Sequence, residues 1–270
     1  MPLLISTLKY RLLLLGAGAV VSLLAATGGH GQRPGETGTL TISREIKGGP
    51  PVTLEFRGTF ADGAGRLDVV GGSDAARFPP GAYILVSDTS GAALIVMPGE
   101  KLYGAMGAGA RLGGIVEMYT PAGTITDLSV KIDSLGPGEA IDGRPTGRYR
   151  ITSQFNLTIS NNGGVQGVAV SKGVTDLWQA DIHSKIPNPF LGLGGDPAPS
   201  DPLKELNAAL SSVQKRLPGV TVKSETTATL SARGVAFTNQ RVTTSLSNIR
   251  DTTVDMEKLA IPAGYSRKGQ

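Results

Sequence analysis

The chain has 270 residues, with 38 glycines, 17 prolines, no cysteine, 5% aromatic and 40% hydrophobic residues. That composition suits a loop-rich globular protein with enough apolar material for a core without disulfides. The lack of cysteine excludes thiolate catalysis, Cys-based zinc and iron–sulfur sites, and a lipoprotein's acylated cysteine.

The N-terminus carries Lys9 and Arg11, then an apolar run from Leu12 to Ala26, then small and polar residues to Gln32. This order reads as a signal peptide over 1–28, with cleavage between 26 and 32. The run is about 15 residues, short of the roughly 20 that cross a bilayer as a helix. Residues 29–36 read as a flexible N-terminus, and 37–265 as one domain exported to the periplasm or beyond. The formal charge is +4; without Lys9 and Arg11, 24 basic residues face 22 acidic ones, a net of +2. Such a balance, with the basic residues scattered singly, argues against nucleic acid.

From Leu40 onward apolar residues recur with period two: Leu40, Ile42 and Ile46, then Val52, Leu54, Phe56 and Phe60, then Leu67 and Val69. This is strand patterning with one buried face, the habit of antiparallel sheets. Asp62-Gly63 and Gly71-Gly72-Ser73-Asp74 supply turns. Tyr83 to Val86 and Ala92 to Met97 are continuous apolar runs, which predict a hairpin buried on both faces. The stretch from Gly104 to Gly114 reads as a loop, and Leu128, Val130 and Ile132 resume the alternation.

The cleanest strand runs from Arg148 to Ile159, with Tyr149, Ile151, Ser153, Phe155, Leu157 and Ile159 on one face. Asn161-Asn162-Gly163-Gly164 predicts a hairpin turn, and the return strand runs from Val165 through Trp178 to Ile182. A connector over 186–202 holds five prolines and cannot join a central sheet.

It leads into a predicted helix over 201–217. Asp201 is suited to cap it and Pro202 to begin it, Leu203, Leu206, Leu210, Val213 and Leu217 line one side, and Pro218-Gly219 ends it. Val220 to Leu230, Val235 to Phe237 and Val242 to Ile249 return to strands. The expected fold is mainly β with one principal amphipathic helix, whose leucine stripe is buried by a curved antiparallel sheet.

The chemistry-bearing residues form no convincing catalytic set. His183 sits between Asp181 and Ser184, but neighbours along a strand lack the geometry of a triad. Ser212-Val213-Gln214-Lys215 fits Ser-x-x-Lys without its companion motifs, and Gly107 to Gly113 lacks the spacing of a phosphate loop. Asp127, Asp133, Glu139, Asp142, Asp176 and Asp181 leave open a carboxylate-based hydrolase, the least favoured reading. No metal or cofactor is indicated.

Three segments, Ile141 to Tyr149, Thr175 to Asp181 and Leu259 to Tyr265, together resemble an uncharacterised family of secreted bacterial proteins with a fold like the LolA and LolB lipoprotein carriers. The resemblance implies an open half-barrel whose concave, apolar side is plugged by helices. The expected function is non-enzymatic binding of a lipid, acyl chain or lipidated protein. Its expected lining is Tyr149, Ile151, Phe155, Leu157 and Trp178 from the strands with Leu203, Leu206 and Leu210 from the helix. The alternative is a structural or protein-interaction module of the cell envelope with a solid core.

Overall fold

The computed structural model describes residues 31–46, 48–87, 93–105, 123–161, 164–182 and 204–268. Their strands are β1 (Gln32–Ile46), β2 (Val52–Ala61), β3 (Ala64–Gly71), β4 (Tyr83–Ser87), β5 (Ala93–Met97), β6 (Leu102–Ala105), β7 (Gly123–Pro137), β8 (Thr146–Asn161), β9 (Gly164–Ala180), β10 (Val220–Ala232), β11 (Val235–Asp255) and β12 (Ser266–Arg267). One helix, α1 (Lys204–Gln214), stands between β9 and β10. All twelve strands form a single open sheet in the order β12-β6-β5-β4-β3-β2-β1-β11-β10-β9-β8-β7. Every pairing is antiparallel except β12 on β6.

Local chemistry explains the hairpins. Asp62 and Gly63 both take positive φ, 48° and 73°, which matches the twist of the strands they join. β4 and β5 are buried on both faces. Ile84 and Val86 enter the main core, whereas Tyr83, Leu85 and Val96 pack against Ile261 and Tyr265 of the C-terminal segment. This two-sided cover is why their sequence is a continuous apolar run.

The sheet bends at β1. Its neighbours β2 and β11 approach within 8 Å between Cα atoms, closer than the about 9.6 Å of two flat strand spacings. Gly35 sits at this pinch, where a Cβ would strike the carbonyl oxygen of Phe60 and come within 2.8 Å of the Val254 side chain. Further along, the Phe60 ring lies over Gly58 and Gly65, so side chains at those two positions would displace it.

Three boundaries differ from the sequence expectation. Residues 32–36, expected in a flexible N-terminus, are paired strand: Gln32 faces Asp255 and Glu36 faces Asp251 and Phe60. Backbone pairing with β11, joined at Glu36 by β2, overrides their loop-like composition. The expected helix to Leu217 ends at Gln214, and a tighter turn follows in which the Arg216 amide donates to the Val213 carbonyl at 3.0 Å. Pro218 accounts for this, since a residue before proline avoids helical geometry. The two short strands expected at 235–237 and 242–249 are one continuous β11; Gln240, polar yet 1% exposed, interrupts the apolar pattern without interrupting the ladder. Leu203, the connector 186–202, His183, the Gly107–Gly113 stretch and the signal segment 1–28 lie outside the described residues.

Candidate functional site: an apolar seat beneath the helix

The register places most of the expected lining together. Tyr149, Ile151, Phe155 and Leu157 alternate on one face of β8, opposite Leu177, Thr175, Ser171 and Ala169 of β9. α1 lies over this face. Leu206 packs with Leu157 and Ile125, bordered by Leu128, Val130, Phe155 and Leu210. Two turns beyond Leu206, Val213 packs with Ile151 and Leu177, bordered by Ile132, Tyr149 and Leu217. Leu206, Leu210 and Val213 meet the strands because side chains three and four apart share a helix face.

Trp178 does not join them. It follows Leu177 along β9, faces away from α1 and packs in the main core with Ala180, Val220 and Val222. Its ring, 6% exposed, lies near two cations: the Lys223 ammonium is 4.4 Å and the Arg148 guanidinium 5.0 Å from the ring centroid. Both contacts are within cation–π range.

Around Trp178 runs a polar network. Asp176 accepts from Arg150 at 2.6 and 2.9 Å and from Arg148 at 2.5 Å. Hydrogen bonds from Arg150, then Arg148, hold its carboxyl below the usual carboxylate range against an opposing push from burial. Lys223 donates to Glu139 at 2.7 Å, which lowers the carboxyl's pKa and raises the ammonium's.

The loop between β7 and β8 closes this side. Ile141 packs on the main core and Asp142 accepts from the Ile249 amide at 2.9 Å. Asp127 accepts from Asn156. Of the six carboxylates singled out in the sequence, Asp127, Glu139, Asp142 and Asp176 are thus engaged in holding structure. A general acid needs its pKa raised, whereas Glu139 and Asp176 move down.

The face under α1 continues across the sheet, because directly paired residues share a side. One unbroken row runs Arg44, Val242, Thr226, Thr175, Ile151 and Ile132, from β1 to β7. The next row runs Ile42, Thr244, Ser224, Leu177 and Tyr149. Apolar clusters at the two ends therefore flank a band containing the buried Thr244, Ser224 and Gln240.

Arg44 occupies an inward place in the alternation Leu40, Ile42, Ile46, and the gap it makes there was the sequence signal for it. Its Nε is buried and has no hydrogen-bond partner. A buried donor left unbonded costs about 1–3 kcal/mol. Sequence reading also passed over Leu177 and Val213 as lining, although the helical spacing of Val213 already pointed inward. A separate depression of about 560 Å³, lined by Glu45, Ile46, Pro51, Thr227, Asn239 and Arg241, opens at the far ends of β1, β10 and β11.

No protein-family model matches the chain, and no curated protein matches it in sequence. Among solved structures it is similar to the LolA superfamily protein NE2245 from Nitrosomonas europaea, at 8% identity over 80% of this chain and 85% of that one, with a TM-score of 0.29. It is similar to an outer membrane lipoprotein-sorting protein domain from Vibrio parahaemolyticus, at 9% identity over 81% and 85%, with a TM-score of 0.28. PNGF-II matches at 10% identity over 86% of this chain but 30% of its own, with a TM-score of 0.32. The reading of the site rests on this chain's own residues.

Proposed function

We propose that the protein is a non-enzymatic carrier or binding protein of the periplasm or the extracellular space. It holds the apolar chain of a lipid or lipidated protein between α1 and the β7–β9 end of its sheet. In this reading the sheet acts as an open half-barrel, a shape supported by its sharp bend at β1, and the chain travels through the export pathway on its signal segment.

One observation carries the proposal. The helix α1, 11 residues and about 16 Å long, lies on strands of 15, 16 and 17 residues that run about 50 Å. Around it Leu128, Val130, Ile132, Phe155 and Leu210 remain only partly buried. Partly covered aliphatic and aromatic side chains converging on one seat are the surface that an apolar ligand completes.

The test is native mass spectrometry of the mature protein, purified gently from periplasm, followed by organic extraction and lipid analysis. A co-purifying acyl species, lost in Leu206→Asp and in the half-exposed Leu210→Asp with circular dichroism unchanged, is the expected result. A clean apo mass that also ignores added lipids would overturn the proposal. That outcome would favour a protein-interaction module, a second reading supported by the edge of β7, which no other strand pairs among the described residues and where Leu135 is 41% exposed.

A further inference from the structure

We infer that Arg44 is the headgroup site of the seat, and that the ligand is a single-chain amphiphile with a carboxylate head, a long-chain fatty acid. This rests on the proposed apolar seat and adds its polar end.

The geometry comes from the register. Arg44 and Ile151 stand in one row on one face, separated by Val242, Thr226 and Thr175. Four strand spacings separate them, about 19 Å along a flat sheet and less along a bent one. An acyl chain in a bilayer reaches about 15 Å, half the hydrocarbon thickness. A chain whose terminal carbons lie under α1 beside Ile151, Leu177 and Val213 thus brings its head within reach of the long Arg44 side chain. The path between is chemically permissive: Val242 is apolar, and the Thr226 and Thr175 hydroxyls hydrogen-bond to each other at 3.0 Å. Their polarity is satisfied without a ligand, so methylenes pass over them at little cost.

The charge is the second observation. A guanidinium keeps its positive charge across the physiological pH range, and this one stands between Ile42 and Ile46 and opposite Val242, with its Nε buried and unbonded. Among the described residues no carboxylate pairs with it. Glu45 follows it in sequence and so points to the other face, as does Glu55, which faces Thr41 across the β1–β2 pair. The buried acid on its own face of β1, Glu36, is eight residues away, about 27 Å of strand.

The other buried and unbonded arginine Nε, that of Arg148, belongs to a side chain already committed to Asp176 and the Trp178 ring. Arg44 has no comparable commitment. A lone forked donor accepts a planar monoanion such as a carboxylate through two parallel hydrogen bonds.

The experiment is titration of the mature, delipidated protein with palmitate and with hexadecanol, which shares the chain but lacks the charge, followed by calorimetry or native mass spectrometry. Wild type is expected to bind palmitate at least about tenfold tighter than hexadecanol, the scale of a charge-assisted contact. Arg44→Gln removes that preference and leaves hexadecanol binding unchanged, which also shows that the variant folds; Arg44→Lys retains part of the preference. Equal binding of the two ligands by wild type, or a preference that survives in Arg44→Gln, would overturn the headgroup assignment while leaving the apolar seat intact. Failure of wild type to bind either ligand would overturn both.

Discussion

The β1–β5 half of the sheet and the β7–β9 half are built from similar alternating strands, yet they finish their inner faces differently. In the first, Phe56, Leu67 and Ile84 are fully buried and the Phe60 ring closes over two glycines, with Leu54, Val69 and Phe78 partly buried at the border of a large cluster. In the second, Leu177 and the α1 residue Val213 are fully buried where helix and sheet meet, but their apolar neighbours stay partly open. Close packing maximises stability, and a face packed to completion has no room for a guest. The contrast sets the half that packs the main core against the half in which the ligand seat is proposed.

The sharpest way to break that contrast is to open the closed half. Phe60→Ala should cost about 3–5 kcal/mol, measured as a lowered urea midpoint, because the ring fills the space that Gly58 and Gly65 leave. A cost near that of a surface substitution would show that the first half is no better packed than the second.

A smaller effect, about 2 kcal/mol, is expected for Asp176→Asn, since the carboxylate is largely buried but Arg148 and Arg150 remain well exposed to screening solvent. Its pH dependence follows from the lowered pKa of Asp176 in the folded state. That stabilisation is complete above the unfolded value of about 3.9 and is lost as pH falls through the lower folded value. Thermal melts from pH 7 to pH 2 should show a shallower acid decline in the variant than in wild type.

Smaller still is Leu210→Ala, about 1 kcal/mol of stability because the side chain is only partly buried. Its effect on hexadecanol affinity should exceed its effect on the melting temperature, and the reverse order would make this half ordinary core. Val235→Ser, at a residue 69% exposed, should fall within about 0.5 kcal/mol.

Much of the candidate site was legible along the chain. Tyr149, Ile151, Phe155 and Leu157 share a face by alternation alone, and Leu206, Leu210 and Val213 share one by helical spacing. Trp178 lies in the main core rather than under α1, because its strand neighbour Leu177 takes the position that meets the helix. Arg148 and Lys223, whose cations lie at the Trp178 ring, are distant in sequence, so nothing local announced them.

The amino-acid sequence by itself determined the local structure: a mainly β chain, its principal hairpins, the approximate position of the helix, and which side chains alternate together. These follow from periodicity and turn chemistry, which act over a few residues. Tertiary structure alone decided the strand order, the bend at Gly35, the extension of β1 back to Gln32, and the row that joins Arg44 to Ile151. Such features depend on register between distant strands, where a slip of one residue moves every side chain to the other face.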